Sequence, residues 1–169
     1  MNRPKSTIVL CNPKSPSNVG AVMRAAGCYA SEAIYYTGDR FERAQKYQQD
    51  TKNHSQTIPL NKIENIQTLK TSKSKIVCIE LVEGAIALPD FKHPEQAIYV
   101  FGPEDGSIDL SIVKSADHVV YIPTIGCMNL AATTNVVLYD RMAKQKKPID
   151  HDALIKKSRD VNNHLKIDK

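Results

Sequence analysis

Three short segments, far apart in the chain, each place an unusual polar residue beside an apolar run. They read NVGAVMRAA at residues 18–26, VFGPEDG at residues 100–106 and IPTIGCMNL at residues 122–130. Their polar residues are Arg24, Glu104 and Asn129. Ligands of open α/β sheets bind just outside the carboxyl ends of the strands. Order and residue type therefore predict a ligand site built from three strand-to-helix junctions.

Arg24 lies on a predicted helix that otherwise consists of Val, Met and Ala. This position favours a functional arginine, because a guanidinium can hold a phosphate through two parallel hydrogen bonds. The alternative is a surface arginine whose aliphatic stem covers apolar neighbours. Gly20 and Ala21 are expected to let the start of this helix press against a neighbouring backbone.

The other two segments combine glycine with a polar group. Gly102 and Gly106 flank Glu104, which predicts a tight turn with backbone exposed to a ligand, since glycine has no Cβ. The alternative is an ordinary β-turn with a solvent-facing Glu104. In the third segment Pro123 ends a strand, Gly126 is expected to permit a sharp bend, and Asn129 begins a helix of small residues. Its alternative is a tightly packed core helix.

Apolar runs and turn residues predict strands that alternate with helices. The predicted strands cover residues 6–11, 33–37, 56–60, 75–81, 97–101 and 118–122. The predicted helices cover residues 18–29 (capped by Ser17 or Asn18), 41–49, 62–69, 110–115 and 128–144, and a short amphipathic turn lies at 153–155. This alternation predicts an α/β fold with a mostly parallel sheet and helices on both faces.

Composition restricts the function classes. The 169 residues suit one domain, and the net charge of +5 favours a polyanionic partner such as nucleic acid, with simple solubility as the alternative. The sequence has neither a G-x-G-x-x-G nor a G-x-x-x-x-G-K-[ST] motif, which disfavours dinucleotide and P-loop chemistry. No run approaches the roughly 20 apolar residues that span a bilayer. With no apolar signal core near the N-terminus, we expect a cytoplasmic protein without a membrane partner.

Cysteine and histidine spacing argues against a metal site. The five histidines are scattered, and no pair of cysteines forms C-x-x-C. We expect reduced, buried thiols without disulfides. The cysteines are Cys11, Cys28, Cys78 and Cys127.

Together the three segments resemble the motifs of the SpoU/TrmH family of the SPOUT superfamily, the RNA 2′-O-ribose methyltransferases. The resemblance extends from Thr7 to about Met142. The matching residues are Asn18, Gly20 and Arg24, then Gly102, Glu104 and Gly106, then Ile122, Pro123, Gly126 and Asn129.

The resemblance implies a C-terminal deep trefoil knot, roughly at residues 97–144, that holds S-adenosylmethionine. It implies a single methyltransferase domain over residues 1–147, a polar extension over 148–169, and a homodimer with its active site at the interface and no metal. The arginine that matches Arg24 would help to deprotonate or orient the ribose 2′-hydroxyl, often from the partner subunit. The implied catalytic residues are Arg24, Asn18, Glu104 and Asn129. The implied cofactor-binding residues are Phe101, Gly102, Glu104, Gly106, Ile122, Pro123, Cys127 and Met128.

The third motif departs from the family pattern. Cys127 stands where relatives carry serine, and the loop from Ile122 is shorter than in many of them. A thiol is a weaker hydrogen-bond donor than a hydroxyl. A catalytically silent RNA-binding or ribosome-assembly protein is therefore one alternative. A further alternative, which does not depend on this departure, is a structural protein whose pocket holds another adenosine-type ligand.

Transfer RNA is the expected substrate, by analogy with small single-domain members, and ribosomal RNA is the alternative. Five basic residues are expected around the mouth of the site, where they would contact the RNA backbone. For each of them a solvated surface position is the alternative. They are Lys14, Arg40, Arg43, Lys46 and Lys52.

Overall fold

The computed structural model describes residues 5–47, 58–145 and 150–167. Its strands form one seven-stranded sheet in the order β3-β2-β1-β6-β4-β7-β5, and every pairing is parallel. The strands are β1 (Lys5–Leu10), β2 (Ala33–Tyr36), β3 (Leu60–Lys62), β4 (Ser74–Ile79), β5 (Ile86–Ala87), β6 (Gln96–Phe101) and β7 (His118–Tyr121). The predicted α/β class with a parallel sheet is confirmed.

Helices cover both faces of the sheet, as predicted. They are α1 (Pro16–Cys28), α2 (Arg40–Tyr47), α3 (Leu110–Ser115), α4 (Leu130–Lys144) and α5 (His151–Ser158), with 3-10 turns at Ile66–Leu69 and Leu88–Asp90. On one face Val22 of α1 and Leu138 of α4 pack into the same core as Ile8 and Leu10. On the other face Ile66 packs with strand residues that include Val9, Cys78 and Val100.

The central strands read as continuous apolar runs because both of their faces are buried. In β6 every residue from Ala97 to Phe101 is buried. The register aligns Phe101 with Leu10 of β1 and with Ile79 of β4. These three strands therefore end level with one another, and the loops after them meet at one edge of the sheet.

The C-terminal end of α4 is fixed at the opposite edge of the sheet. Arg141 is buried, and its guanidinium donates to the carbonyls of Pro94 at 2.7 Å, Glu95 at 2.8 Å and Lys5 at 3.1 Å. A buried charge is tolerated when it is fully hydrogen-bonded. Arg141 thus holds α4 against the starts of β1 and β6, while Asn129 begins the helix at the carboxyl edge.

The start of α1 differs from the prediction. The helix begins at Pro16 and is capped by Ser15, whose side chain accepts from the Asn18 amide. Ser17 and Asn18 do not act as caps. Proline favours the first helical position, and Pro16 therefore begins the helix before either of them. Asn18 consequently lies inside the first turn, where its side chain is available for other contacts.

Other boundaries also moved. The third strand lies at Leu60–Lys62 instead of residues 56–60, of which 56 and 57 lie outside the described residues. The expected helix at 62–69 is only a 3-10 turn at Ile66–Leu69. The Asn65 side chain caps it, so the helical segment begins four residues later than predicted. β5 was not predicted, since two residues carry no periodicity. The helix predicted from residue 128 begins at Leu130 with Asn129 as its cap, and the expected C-terminal turn is the longer helix α5.

Some expectations stay predictions. The trefoil knot, the domain boundary at residue 147 and the role of the extension from residue 148 are among them, and residues 146–149 lie outside the described part of the chain. Among the described helices, none has both the length and the apolar character that crossing a bilayer requires.

Candidate active site

A cavity of about 510 Å³ opens at the carboxyl edge of the sheet. Its walls come from the loops after β4, β6 and β7, from the first turn of α1 and from the start of α4. This is the edge where parallel α/β sheets bind ligands. The three strand-to-helix junctions singled out in the sequence therefore do meet at one place.

Most of the predicted site residues line this cavity. Those expected to hold the cofactor are Phe101, Gly102, Gly106, Ile122, Cys127 and Met128. Glu104, Asn18 and Asn129 also contribute to the walls. Pro123 and Arg24 are not among the lining residues. The structure thus brings all the predicted site residues together except Pro123 and Arg24, and the role of each one stays a prediction.

Glu104 ties the second segment to the loop before α1. Its carboxylate accepts from the backbone amides of Lys14 at 2.8 Å and Ser15 at 3.0 Å, and from the Asn18 side-chain amide at 3.1 Å. Glu104 is exposed, as the alternative of an ordinary β-turn expects, but its carboxylate also has these three partners. Its hydrogen bonds hold the Gly102–Gly106 turn against the start of α1.

The environment of Glu104 favours its ionised form. Partial burial raises the pKa of the Glu104 carboxyl, but hydrogen bonds from the Lys14 amide, the Asn18 side chain and the Ser15 amide outweigh burial, and the pKa lies below its usual value. A carboxylate held this way is an acceptor at neutral pH and a poor general base. Its contacts indicate a positioning role.

The two asparagines connect the first segment to the third. The Asn129 side-chain nitrogen donates to the side-chain oxygen of Asn18 at 3.0 Å. The Asn129 oxygen meanwhile caps α4 by accepting from the amides of Ala131 and Ala132. Each amide group is thereby fixed in one orientation, and the hydrogen bonds run continuously from Asn129 through Asn18 to Glu104. All three segments are joined by this chain of contacts.

Arg24 lies apart from the cavity of its own chain. It is exposed, and it makes no hydrogen bond or ion pair within the described residues. It lies six positions after Asn18 in the same helix, which places the two side chains about 120° apart around α1 and roughly 9 Å apart along it. Arg24 therefore points away from the site that Asn18 lines.

Two of the expected basic residues lie beside the Glu104 turn. The Arg40 guanidinium donates to both carboxylate oxygens of Asp105 at 2.9 Å, and the Lys14 ammonium lies 3.5 Å from the same carboxylate. These contacts, Arg40 first, hold the pKa of Asp105 below its usual value. Arg43 instead pairs with Asp39 at 3.9 Å. The Lys46 side chain and Lys52 lie outside the described residues.

The glycines serve different purposes from those expected. A Cβ on Gly102 would lie 3.3 Å from the Glu80 carboxylate and from the Ile108 amide nitrogen, so a larger residue there would push on both of these neighbours. A Cβ on Gly20 or Gly126 would meet nothing within 4 Å, and neither residue has a positive φ. The expected close packing at Gly20 is therefore wrong within this chain, whereas the expected bend is present at residues 125–126, although Gly126 does not adopt a positive φ there.

The thiols divide into two classes. Burial raises the pKa of Cys11 and of Cys78 to about 12, which makes both inert. Cys28 and Cys127 are exposed, which contradicts the expectation of four buried thiols. Cys28 is the last residue of α1, and Cys127 lies three residues before α4. At such helix ends a residue beside apolar neighbours in the sequence can still be exposed. All four thiols are free, and no cluster of three metal-ligating side chains occurs among the described residues.

Sequence analysis missed several cavity residues, and Glu80 is the most polar of them. The strand prediction ran to residue 81, whereas β4 ends at Ile79. Glu80 is thus the first residue beyond the strand, at the edge where the cavity opens. The signal was a charged residue at the end of an apolar run. Other missed lining residues are Ser107, Tyr121, Thr124 and Thr133.

Comparisons with known proteins show the family and the fold of this chain. A family model described as the SpoU rRNA Methylase family matches residues 5–139. No curated protein sequence matches the chain. The rRNA methyltransferase from Sinorhizobium meliloti, also solved with AdoMet bound, is similar in structure, with 15% identity, a TM-score of 0.70 and 86% of this chain covered. This chain spans only 58% of the length of that protein.

Two further solved structures share the fold. The A. aeolicus TrmH/SpoU tRNA modifying enzyme is 19% identical with a TM-score of 0.65, over 84% of this chain and 76% of its own. A protein studied for the 2-OH methylation of C/U34 on tRNA is 17% identical with a TM-score of 0.67, over 85% of this chain and 92% of its own.

Proposed function

Since the chain belongs to the SpoU rRNA methylase family, we propose that it transfers a methyl group from S-adenosylmethionine to the 2′-hydroxyl of an RNA ribose. One observation carries the proposal: Glu104, Asn18 and Asn129, from three distant segments, form one hydrogen-bonded chain at the edge of the cavity. Such a chain orients groups that must act together.

The cavity suits an adenosine-type cofactor. Its volume of about 510 Å³ falls within the roughly 300–1,000 Å³ of small-molecule sites. Its lining mixes apolar side chains such as Ile122 and Met128 with a few convergent polar groups, as such sites do. When bound, S-adenosylmethionine supplies an electrophilic methyl group on a sulfonium sulfur. The backbone near Gly102 and Gly106 and the side chains of Ile122, Cys127 and Met128 would hold it.

The protein's contribution is mainly orientation. Methyl transfer requires in-line alignment of the hydroxyl and the methyl group, and positioning lowers such barriers strongly. A ribose hydroxyl must also lose its proton in the transition state. We assign Glu104 and Asn18 to holding the loop geometry, and Asn129 to setting the floor of the site. Arg24 would orient the ribose or its phosphate and favour the ionised hydroxyl.

Arg24 would reach the reaction from a second copy of the chain. The side chain faces away from the cavity of its own chain, so a site that uses it needs a partner. The outer face of α4 supports this arrangement, because its large apolar residues Val136, Tyr139 and Met142 are exposed. Exposed apolar patches of this kind mark interaction surfaces. We therefore propose a homodimer with the active site at its interface.

Transfer RNA is the proposed substrate. A similar structure of which this chain spans 92% is the one studied for methylation of tRNA, whereas the chain spans 58% of the Sinorhizobium meliloti rRNA methyltransferase. Ribosomal RNA remains the alternative substrate. Lys14 and Arg40, beside the Glu104 turn, would contact the RNA backbone.

Several finer features complete the proposal. We propose a cytoplasmic enzyme that needs no metal, whose methyltransferase domain covers residues 1–147 and whose cofactor site is knotted. The family match at residues 5–139 supports the domain assignment. The extension from residue 148 lies beyond that match.

The decisive experiment is methyl transfer from labelled S-adenosylmethionine to unmodified total tRNA and, separately, to rRNA. Label that survives alkaline hydrolysis in a dinucleotide identifies ribose methylation, because a methylated 2′-hydroxyl cannot assist cleavage. Label in tRNA is the expected result, and label only in rRNA would replace the substrate class. Cofactor binding without transfer to either pool would favour the silent RNA-binding alternative. Cys127→Ser would then test whether the thiol is responsible.

A further inference from the structure

Glu80 places a second carboxylate in the cavity, at its centre along the sheet. β4 lies between β6 and β7, and Ile79 pairs with Phe101 on one side and Val120 on the other. Glu80 continues this register, since its amide donates to the Val120 carbonyl at 3.0 Å. Its side chain thus stands between the two loops that carry Gly102 and Ile122.

The Glu80 carboxylate is held in one position. One oxygen accepts from the Ile108 amide at 2.8 Å, and the other accepts from the Leu81 amide at 3.0 Å. The missing Cβ of Gly102 leaves space for this carboxylate, because a Cβ there would lie 3.3 Å from its oxygen. Glycine at this position therefore accommodates the Glu80 side chain as well as a turn.

Among the described residues, two carboxylates line the cavity, and they differ in how many further hydrogen bonds they can accept. An ionised carboxylate can accept about four hydrogen bonds. Glu104 accepts from two backbone amides and the Asn18 side chain. Glu80 accepts only two backbone hydrogen bonds, one on each oxygen, and each oxygen keeps a further acceptor site. A ligand that brings paired donors would meet them at Glu80.

We propose that Glu80 binds the vicinal 2′,3′-diol of the adenosine ribose. A diol presents two adjacent hydroxyl donors, which match the two oxygens of one carboxylate. A carboxylate at a strand end performs this task for nucleotide riboses in other parallel sheets. The inference rests on the proposed function, since it requires an adenosine-type cofactor in this cavity.

The test is a cycle of two ligands and two proteins, measured by calorimetry. The ligands are 5′-methylthioadenosine and its 2′,3′-dideoxy analogue, and the proteins are the unaltered chain and Glu80→Gln. We expect Glu80→Gln to weaken methylthioadenosine binding roughly tenfold or more, as for loss of a charged hydrogen bond, and to leave the dideoxy analogue within about twofold. An equal loss for both ligands would show a purely structural role and overturn the proposal.

Two controls sharpen the cycle. Glu83→Gln removes the same charge from the same loop at an exposed position outside the cavity, and we expect no change in either affinity. Glu80→Asp keeps the charge but withdraws the carboxylate, so a loss confined to the diol-bearing ligand is again expected. This second variant also serves if Glu80→Gln unfolds.

S-adenosylhomocysteine separates the diol from the amino-acid end of the cofactor. A loss in Glu80→Gln seen with S-adenosylhomocysteine but not with methylthioadenosine would assign Glu80 to the α-ammonium group and overturn the diol assignment. If the unaltered chain binds S-adenosylhomocysteine while the cycle shows no coupling, only the Glu80 proposal fails. If the unaltered chain binds neither methylthioadenosine nor S-adenosylhomocysteine, both the Glu80 proposal and the proposed function fail.

Discussion

The side-chain amides of Asn18 and Asn129 meet at 3.0 Å across 111 positions of sequence. Asn129 donates, because its oxygen is occupied in capping α4. Asn18 accepts and passes its own N–H to Glu104. The direction of every hydrogen bond in this chain is thereby set by the helix cap at one end and the carboxylate at the other.

Replacing Asn18 by aspartate should break this chain with little change of shape. The substitution puts a carboxylate oxygen where an N–H now faces Glu104, and two like charges at that distance repel. We expect a loss of about 0.5–1.5 kcal/mol in the free energy of unfolding, because the contact is exposed, and a strong loss of methyl transfer. Urea unfolding and the transfer assay measure the two effects. Asn61→Asp, an exposed change of the same kind, should alter neither; an equally stable Asn18→Asp would contradict the assigned contacts.

Arg24→Ala should abolish methyl transfer and preserve cofactor binding. The side chain is exposed and lies outside the cavity, so its removal leaves the cofactor walls intact. We expect at least a hundredfold loss of kcat, the scale of a group that assists proton transfer, with an unchanged Kd for S-adenosylhomocysteine. Co-purified chains that carry Arg24→Ala and Glu104→Gln separately should regain activity, because one of the two interface sites is then intact. No recovery in the mixture would place Arg24 in its own chain's site.

Lys14 and Arg40 should carry part of the salt dependence of RNA binding. Each cation released from an RNA phosphate by a bound Lys or Arg adds to the slope of the logarithm of the binding constant against the logarithm of salt concentration. The double alanine variant should therefore reduce the size of that slope by about 1–2. Filter binding from low to moderate salt measures it. Asp105→Asn should act in the opposite direction and tighten RNA binding, because both cations are then unpaired. Lys73→Ala, an exposed change just before β4, provides the control.

His93 should make stability fall below neutral pH. Its ring accepts from Tyr99 and donates to Asp140, and burial, which outweighs the Asp140 carboxylate, lowers the pKa of His93 below 6.5. The folded state therefore favours the neutral ring. That contribution to stability is complete above pH 6.5 and is lost as the pH falls from there towards the lower folded-state pKa.

Thermal unfolding between pH 8 and pH 5 measures this contribution. His93→Gln should unfold at lower temperature at pH 8 and show a flatter decline towards pH 5 than the unaltered chain. His164→Gln, an exposed change in the C-terminal segment, should leave the profile unchanged. A His93→Gln profile parallel to that of the unaltered chain would exclude His93 as the titrating group.

The sequence by itself determined the fold class and the location of the site. Apolar runs such as β6 and the alternation of strands with helices identified a parallel sheet, because burial on both faces leaves a continuous apolar signature. Residue type beside apolar runs then singled out Arg24, Glu104 and Asn129, and the family resemblance added Asn18; of these, Glu104, Asn129 and Asn18 line the cavity and Arg24 does not. Local chemistry was sufficient for Glu104 in its glycine-flanked turn and for Asn129 at the start of α4, whereas it assigned Asn18 to a cap that Ser15 forms.

Only the tertiary structure decided how those residues are used. Contacts between segments decide which acceptor each asparagine binds and which carboxylate can still accept hydrogen bonds. Spacing along the chain does not encode these contacts. Glu80 lines the cavity because β4 ends two residues earlier than its apolar pattern indicated. Arg24 does not line it, because its position around the axis of α1 differs from that of Asn18. Strand ends and helix rotation are fixed by packing against neighbours, and packing exists only in the folded chain.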